Sequence, residues 1–388
     1  MAVKAAMRIL GFMTGTSLDA VDMAVLETDG ETIFAFGPAG ERKLDPDARA
    51  VIEGATRAAL AWPWGAPRPE VFAHAETVIA DQHLIAARAF LATHGVAAES
   101  LDLIGVHGQT VLHEPPGAGH VEGRTVQLID AQRVADGLGL PVAHDFRTAD
   151  VAAGGQGAPL APVYHGALAR WSSLAAPVAV LNLGGVGNVT LVREDGGLEA
   201  YDTGPANGMI DLFVQARTGA RCDEDGALAR AGRADARVLE GYLADPYFAR
   251  RGPKSLDRFD FSLDPVAALS LEDGAATLTA FAAAAVARGL EALSVAPREV
   301  IVCGGGRHNP ALMAAIAARV GVPVRTAEAV GWRGDSIEAE AFAFLAARTA
   351  RGLPLSFPGT TGVPAPLTGG AIAQPCRWTE PDQICPNR

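Results

Sequence analysis

Residues 8–28, RILGFMTGTSLDAVDMAVLET, and residues 177–194, PVAVLNLGGVGNVTLVRE, repeat one pattern: an apolar run, a turn of small residues, and a second apolar run. In the first copy Val21, Met23 and Val25 alternate with Asp22, Ala24 and Leu26, the period of a strand with two different faces. Each copy therefore reads as a hairpin closed by a glycine-bearing turn. A third turn, Gly304–Gly306, follows the apolar run EVIVC and precedes a helical pattern. Glycine lets a backbone approach a ligand closely and reach positive φ, and successive free N–H groups form an anion-binding concavity. Each turn alone reads first as a plain tight turn, but three of them, two within copies of one hairpin, point to two lobes closing on a phosphate chain. None fits GxxxxGK[ST] or the full GxGxxG spacing, so neither a P-loop nor a Rossmann fingerprint is present.

The 388 residues suit two domains at about 150 residues each. With 49% apolar and 20% charged residues the composition is that of a soluble α/β protein. A formal charge of -12 excludes a non-specific nucleic-acid binder, so an anionic substrate must be held by local dipoles and a few placed basic groups. Cys222, Cys303, Cys376 and Cys385 have no CxxC spacing and indicate neither a zinc site nor a disulfide framework, though Cys376 and Cys385 stand close enough to pair in the tail. No stretch reaches the roughly 18 uncharged apolar residues of a membrane span, and the N-terminus lacks a cleavable signal pattern, so the expected location is the cytoplasm.

Between the turns, residues 71–94 read as a helix stopped by Gly95, LDLIGVHGQTVLH as a buried strand entering a polar turn, and residues 126–137 as a helix. GLPVAHDF is a short strand, and residues 163–171 a helix after a Gly/Pro loop. GLEAYDTGPANGMIDLFVQART gives a strand, a turn at Asp202–Ala206 and a helix; AATLTAFAAAAVARGLEAL is a long Ala-rich helix. DSIEAEAFAFLAARTARG is the last helix, and the prolines beyond it predict an irregular tail over 371–388.

GTSLDAVD, GVHGQT, DFRTADVAAGGQGAPLAP, LNLGGVGN, YDTGPAN, RGPKS, VCGGGRHNP and EAEAFAFLA stand in the order found in anhydro-N-acetylmuramic acid kinases, from about residue 8 to about residue 370. The resemblance implies a two-lobed actin-like ATPase fold, with ribonuclease H-like duplicated mixed sheets and the active site in the interdomain cleft. The N-terminal lobe would comprise 1–139 and 336–370, the C-terminal lobe 140–335. The implied reaction phosphorylates O6 of the anhydro sugar from ATP while water attacks C1, with ATP and Mg²⁺ as cofactors. The implied partners are a small-molecule anhydro amino sugar and a second copy of the chain, a homodimer, without nucleic acid or membrane. The alternatives are another sugar or carboxylate kinase of the superfamily, or a nucleotide-gated ATPase that transfers nothing.

By the same resemblance Asp202 is the catalytic aspartate; as a residue it serves equally well as a cap for the turn or the helix that follows. Gly15, Thr16, Ser17, Leu18, Asp19 and Asp22 match the first phosphate ribbon, Gly184, Gly185 and Asn188 the second, and Gly304, Gly305 and Gly306 the turn against adenosine. His107, Gln109, Thr110, Arg147, Asp150 and Glu338 match sugar-binding positions, Arg147 being the natural fork for the lactyl carboxylate. Glu338, three residues after Asp335, also fits a helix cap, and His107, His113 and His120 read otherwise as loop histidines. Two family glycines are replaced, by Ala20 and Ala206. If position 20 needs positive φ, the methyl group costs roughly 1 kcal/mol.

Overall fold

The computed structural model describes residues 5–15, 18–117, 122–256 and 260–376. The chain divides into two compact units, Met1–Gly157 with Glu338–Phe357 and Val363–Arg388, and Ala158–Ile337 with Pro358–Gly362.

The first unit opens with β1 (Met7–Thr14), β2 (Ala20–Thr28) and β3 (Ile33–Lys43), then α1 (Pro46–Leu60) and α2 (Val71–His94). There follow β4 (Leu103–Val106), β5 (Gln109–Glu114), β6 (Arg124–Leu128), α3 (Ala131–Leu138), β7 (Val142–His144) and α4 (Thr148–Ala152). The second unit holds α5 (Pro162–Trp171), β8 (Val178–Leu183), β9 (Val186–Val192), β10 (Leu198–Pro205), α6 (Asn207–Thr218), α7 (Ala227–Ala231) and α8 (Ala236–Leu243). It continues with α9 (Leu271–Glu291), β11 (Val300–Cys303), α10 (Pro310–Val320) and β12 (Val324–Thr326), after which α11 (Ile337–Ala350) and β13 (Ala371–Ala373) return to the first unit.

The two main sheets have one topology. In the first unit the order is β13-β7-β4-β1-β2-β3, and in the second β10-β9-β8-β11-β12. In both, the first three strands form an antiparallel meander, and two further strands add in parallel beside the first. The strand order 3-2-1-4-5 thus occurs twice, which is the architecture the repeated hairpins lead one to expect. A separate two-stranded sheet pairs β5 with β6.

Each central strand is buried on both faces. Leu10 and Phe12 of β1 pack with Ala80, Leu84, Ala87 and Leu91 of α2. On the other face Gly11 of β1 and its neighbour Gly105 of β4 form a register pair against the backbone of α11. A Cβ at Gly11 would lie 2.0 Å from the Ala339 carbonyl oxygen, and one at Gly105 2.3 Å from that of Phe342, so only glycine admits the helix. In the second unit Leu181, Leu183, Val189, Leu191 and Tyr201 pack with Ala282, Ala283, Val286 and Leu290 of the Ala-rich α9.

The expected helix at 126–137 begins instead as β6, followed by α3 from Ala131. RTVQL pairs antiparallel with β5, and Asp130 then caps α3 by accepting the Arg133 N–H at 2.9 Å. The tail is not irregular from residue 371 onward, because β13 adds to the edge of β7. The turn predicted from Asp202 starts later: Asp202 lies within β10, with the ladder shifting between Asp202 and Gly204. The stretch 140–157 groups with the first unit, since β7 pairs with β4. Neither Cys222, which is exposed, nor Cys303, which is buried, forms a disulfide; Cys385, and with it the tail pairing, lies outside the described residues. No helix among the described residues is long and apolar enough to cross a membrane.

Candidate active site

In the first unit, β1 and β2 close on residues 15–19, of which Thr16 and Ser17 lie outside the described residues. The Leu18 N–H donates to the Gly15 carbonyl at 3.1 Å. Leu18 itself is buried with φ 56°, so among the described residues of this turn it is Leu18 that takes the left-handed conformation. Ala20 instead opens β2 opposite Lys43 and is not among the non-glycine residues with positive φ, so its methyl group incurs no such cost. Asp19 sits at the rim with Arg49 of α1 at 3.8 Å, and Asp22 lies in β2 opposite Met13.

Behind the turn stands His83 of α2, which the sequence reading passed over. Its Nδ1 donates to the Ile79 carbonyl at 2.8 Å, leaving Nε2 to accept from the Thr14 hydroxyl at 3.4 Å. Burial holds this imidazole down at about 4, so it stays neutral and fixes the last residue of β1.

His107, Gln109 and Thr110 follow β4, and Arg147 and Asp150 sit at the start of α4. Arg147 donates through Nε to His107 Nε2 at 3.0 Å and through NH1 to the Gly157 carbonyl at 2.7 Å. Asp150 is buried and accepts the Gly157 N–H at 2.6 Å, so it pins the glycine loop beneath Arg147. Burial first, and the Arg147 charge second, hold His107 well below the ordinary imidazole range. With Nε2 accepting from Arg147, the ring proton is on Nδ1. That atom is buried without a hydrogen bond of ordinary geometry, although the adjacent Gly108 peptide interacts with the ring. Gln109 is also buried; its Nε2 makes only long contacts, 3.5 Å to the Gly15 carbonyl and 3.4 Å to that of Thr110, and its Oε1 has no partner. Buried polar atoms are normally satisfied, so the unpartnered Gln109 Oε1 is an acceptor that a hydroxyl- or amide-bearing ligand can meet.

Glu338 is exposed in the first turn of α11, and Phe342 of the same helix packs its ring 4.6 Å from that of His107. Asp335, read as part of a cap, directs its carboxylate elsewhere: it binds Arg307 at 2.7 Å and 2.8 Å.

In the second unit Cys303, Asn182, Asn188 and Asp202 are consecutive register partners across β11, β8, β9 and β10. Opposed residues share a face, so these four form one polar row. The row lies on the face away from α9, since Leu181, Val189 and Tyr201, each next in sequence to a member, point into the α9 core. Asp202 accepts the Leu256 N–H on Oδ2 at 2.8 Å, and its own N–H donates to the Lys254 carbonyl at 3.0 Å. The Gly184 and Gly185 carbonyls accept the N–H groups of Ala206, Asn207 and Gly208, joining the hairpin turn to the start of α6. Ala206 is buried at φ -123° and ψ -121°, outside the main extended and helical regions, so the alanine that replaces the family glycine sits in an uncommon backbone conformation.

The glycines of these turns divide by cause. Gly304 has φ 77°, and a Cβ there would meet Asn182 Oδ1 at 2.3 Å; one at Gly306 would meet Leu183 Cβ at 2.8 Å. Both are required by the packing of the turn on β8. At Gly185 and Gly305 a Cβ meets nothing within 4 Å and φ is not positive, so the protein's own packing gives no reason for glycine. Arg307, unremarked in the sequence, braces the third turn: NH1 donates to the Gly304 carbonyl at 3.0 Å while Glu328 and Asp335 neutralise the buried guanidinium.

Two more residues were given no role from the sequence, although Lys254 stands within the RGPKS motif. Lys254 is buried and Asp211 half-buried, the latter pushed up to about 6 by burial against the opposing Asn207 amide, with Oδ1 unpartnered.

A mixed sheet built twice to one topology, each copy opening on a hairpin with a glycine turn, defines the class: a two-lobed actin-like ATPase fold. The family model for anhydro-N-acetylmuramic acid kinase matches residues 7–375, and the chain belongs to that family. The anhydro-N-acetylmuramic acid kinase of Caulobacter vibrioides is 65% identical over 366 residues, covering 94% of this chain and 98% of the relative. That of Phenylobacterium zucineum is 63% identical over 369 residues, covering 95% and 100%. The chain is accordingly an ATP-dependent sugar kinase.

Proposed function

We propose that the chain transfers the γ-phosphoryl group of ATP to O6 of 1,6-anhydro-N-acetylmuramic acid while water adds at C1 and the C1–O6 bond breaks. The products are N-acetylmuramic acid 6-phosphate and ADP, and the setting is cell-wall recycling. Asp202 takes the proton of the attacking water. One observation carries this assignment: its carboxylate is fixed through Oδ2 by the Leu256 N–H at the point where β10 departs from its ladder. A hydrogen bond to the ionised form keeps an aspartate available as a base.

The first ribbon, Gly15 to Asp19 with Asp22, and the second, Gly184, Gly185 and Asn188, supply preorganised dipoles to the phosphates. Gly304, Gly305 and Gly306 pass against the adenosine. His107, Gln109 and Thr110 read the sugar's polar groups, Arg147 its lactyl carboxylate, with Asp150 setting the loop under Arg147 and Glu338 approaching from α11. No group of three or more His, Cys, Asp or Glu among the described residues is arranged to hold a metal ion. Mg²⁺, which the family resemblance implies, would arrive with ATP, keep phosphate and water ligands and neutralise phosphate charge. The proposal includes a cytoplasmic homodimer, following the family resemblance; sedimentation at micromolar concentration tests the dimer.

Incubation with ATP, Mg²⁺ and the anhydro sugar is expected to give the 6-phosphate and ADP in equal amounts. ADP formed without sugar, or no 6-phosphate, counts against the reading. Asp202→Asn should lose turnover by about 10³-fold or more while still binding ATP, as for other single catalytic groups. Near-normal turnover would remove Asp202 from the role.

A further inference from the structure

Asp202 is held at three atoms by two segments that lie far from it in sequence. The Tyr247 hydroxyl donates to the Asp202 carbonyl at 2.6 Å. The strap Lys254–Leu256 takes the other two contacts, with the Lys254 carbonyl on the Asp202 N–H at 3.0 Å and the Leu256 N–H on Oδ2 at 2.8 Å. The Lys254 side chain joins the two segments: Nζ donates to the Tyr247 carbonyl at 3.0 Å and stands 4.1 Å from the centre of the Tyr247 ring and 5.9 Å from that of Tyr201. Tyr201 is itself fixed to α9 through the Gly289 carbonyl at 2.8 Å. Gly252 lets the strap cross this ring, since a Cβ there would lie 2.2 Å from it. The ammonium closes a ring of bonds that runs from Asp202 through the strap to Tyr247 and back.

We propose that Lys254 is a positioning residue for the reaction: its ammonium fastens the strap that aims the Asp202 carboxylate to the turn that holds the Asp202 backbone. This rests on the reading of Asp202 as the base. The tie is charge-dependent, because both the cation–π contact and the charge-assisted bond weaken when the amine loses its proton. Among the described residues the charged and titratable groups around this pair are Asp202, Tyr201, Tyr247, Arg250 and Asp260. Burial, then Arg250, lower the amine to about 8, with Asp202 opposing. Lys254 is therefore charged below that pH and neutral above it, so the tie loosens as the solution turns alkaline.

The test is kcat, KM and the pH profile between pH 6 and 10 for the wild type, Lys254→Met and Lys254→Arg, beside Asp202→Asn. The wild type should show a fall in kcat/KM centred near 8. Lys254→Met should lower kcat by about 10-fold or more with the ATP KM changed less than about 2-fold, and should lack that fall. Lys254→Arg, which stays charged, should recover much of kcat and carry the limb beyond the range. A Lys254→Met enzyme with wild-type kcat, or with the alkaline limb in place, overturns the proposal. Should thermal unfolding show that Lys254→Met is misfolded, an unmoved limb in Lys254→Arg overturns it instead. Near-normal turnover in Asp202→Asn overturns the base reading itself; an inactive Asp202→Asn beside a fully active Lys254→Met overturns only the tie.

Discussion

Gly185 and Gly305 separate a structural glycine from a functional one. Neither has positive φ, and neither would bring a Cβ within 4 Å of another atom, so Gly185→Ala and Gly305→Ala should fold with stability changed by less than about 1 kcal/mol. If these turns lie against the nucleotide, the added methyl group meets the ligand, and the ATP KM should rise by about 10-fold. Urea unfolding and ATP saturation curves read the two effects separately, and an unchanged KM in both variants would remove the turns from the nucleotide site. Gly304→Ala is the contrast, because φ 77° and a contact at 2.3 Å to Asn182 Oδ1 make it a folding defect.

At the scale of elements, α11 shows how a local pattern and a distant requirement combine. EAEAFAFLA reads as a helix without help, but its seat exists only because Gly11 and Gly105 are register partners. Gly105→Ala should destabilise the protein by about 3 kcal/mol, a loss visible in thermal unfolding, since backbone rather than a movable side chain is in the way. A melting temperature equal to that of the wild type would show that the helix does not sit so closely. The helix at Val71–His94 was legible to its ends, because its apolar face is periodic and Gly95 takes the left-handed stop. RTVQL was misread because five residues carry too little periodicity to separate strand from helix, and its strand character depends on β5. β13 was invisible for the same reason: three residues become a strand only where the edge of β7 offers hydrogen bonds.

For the whole molecule, buried neutral histidines couple folding to pH in both units. His83 in the first and His165 in the second are lowered by burial from 6.5 to about 4, and His107 is lowered too. Between those values the unfolded chain takes up protons that the folded chain refuses, so this stability is complete above pH 6.5 and is lost as pH falls toward 4. At pH 5 His83 and His165 should each cost about 2 kcal/mol, seen as lower urea midpoints than at pH 7; a flat profile would mean these histidines are not buried as described. The duplicated hairpin determined the architecture from sequence alone, because alternation and a glycine turn are local properties written twice. The ordered motifs likewise determined the family. Only the tertiary structure decided what those residues touch. Asp202 is gripped by Leu256, 54 positions away, and Lys254 became more than a basic residue in a loop once folding laid that loop against Tyr247 and Tyr201. Such partnerships are set by the packing of the whole unit, which no stretch of neighbouring residues encodes.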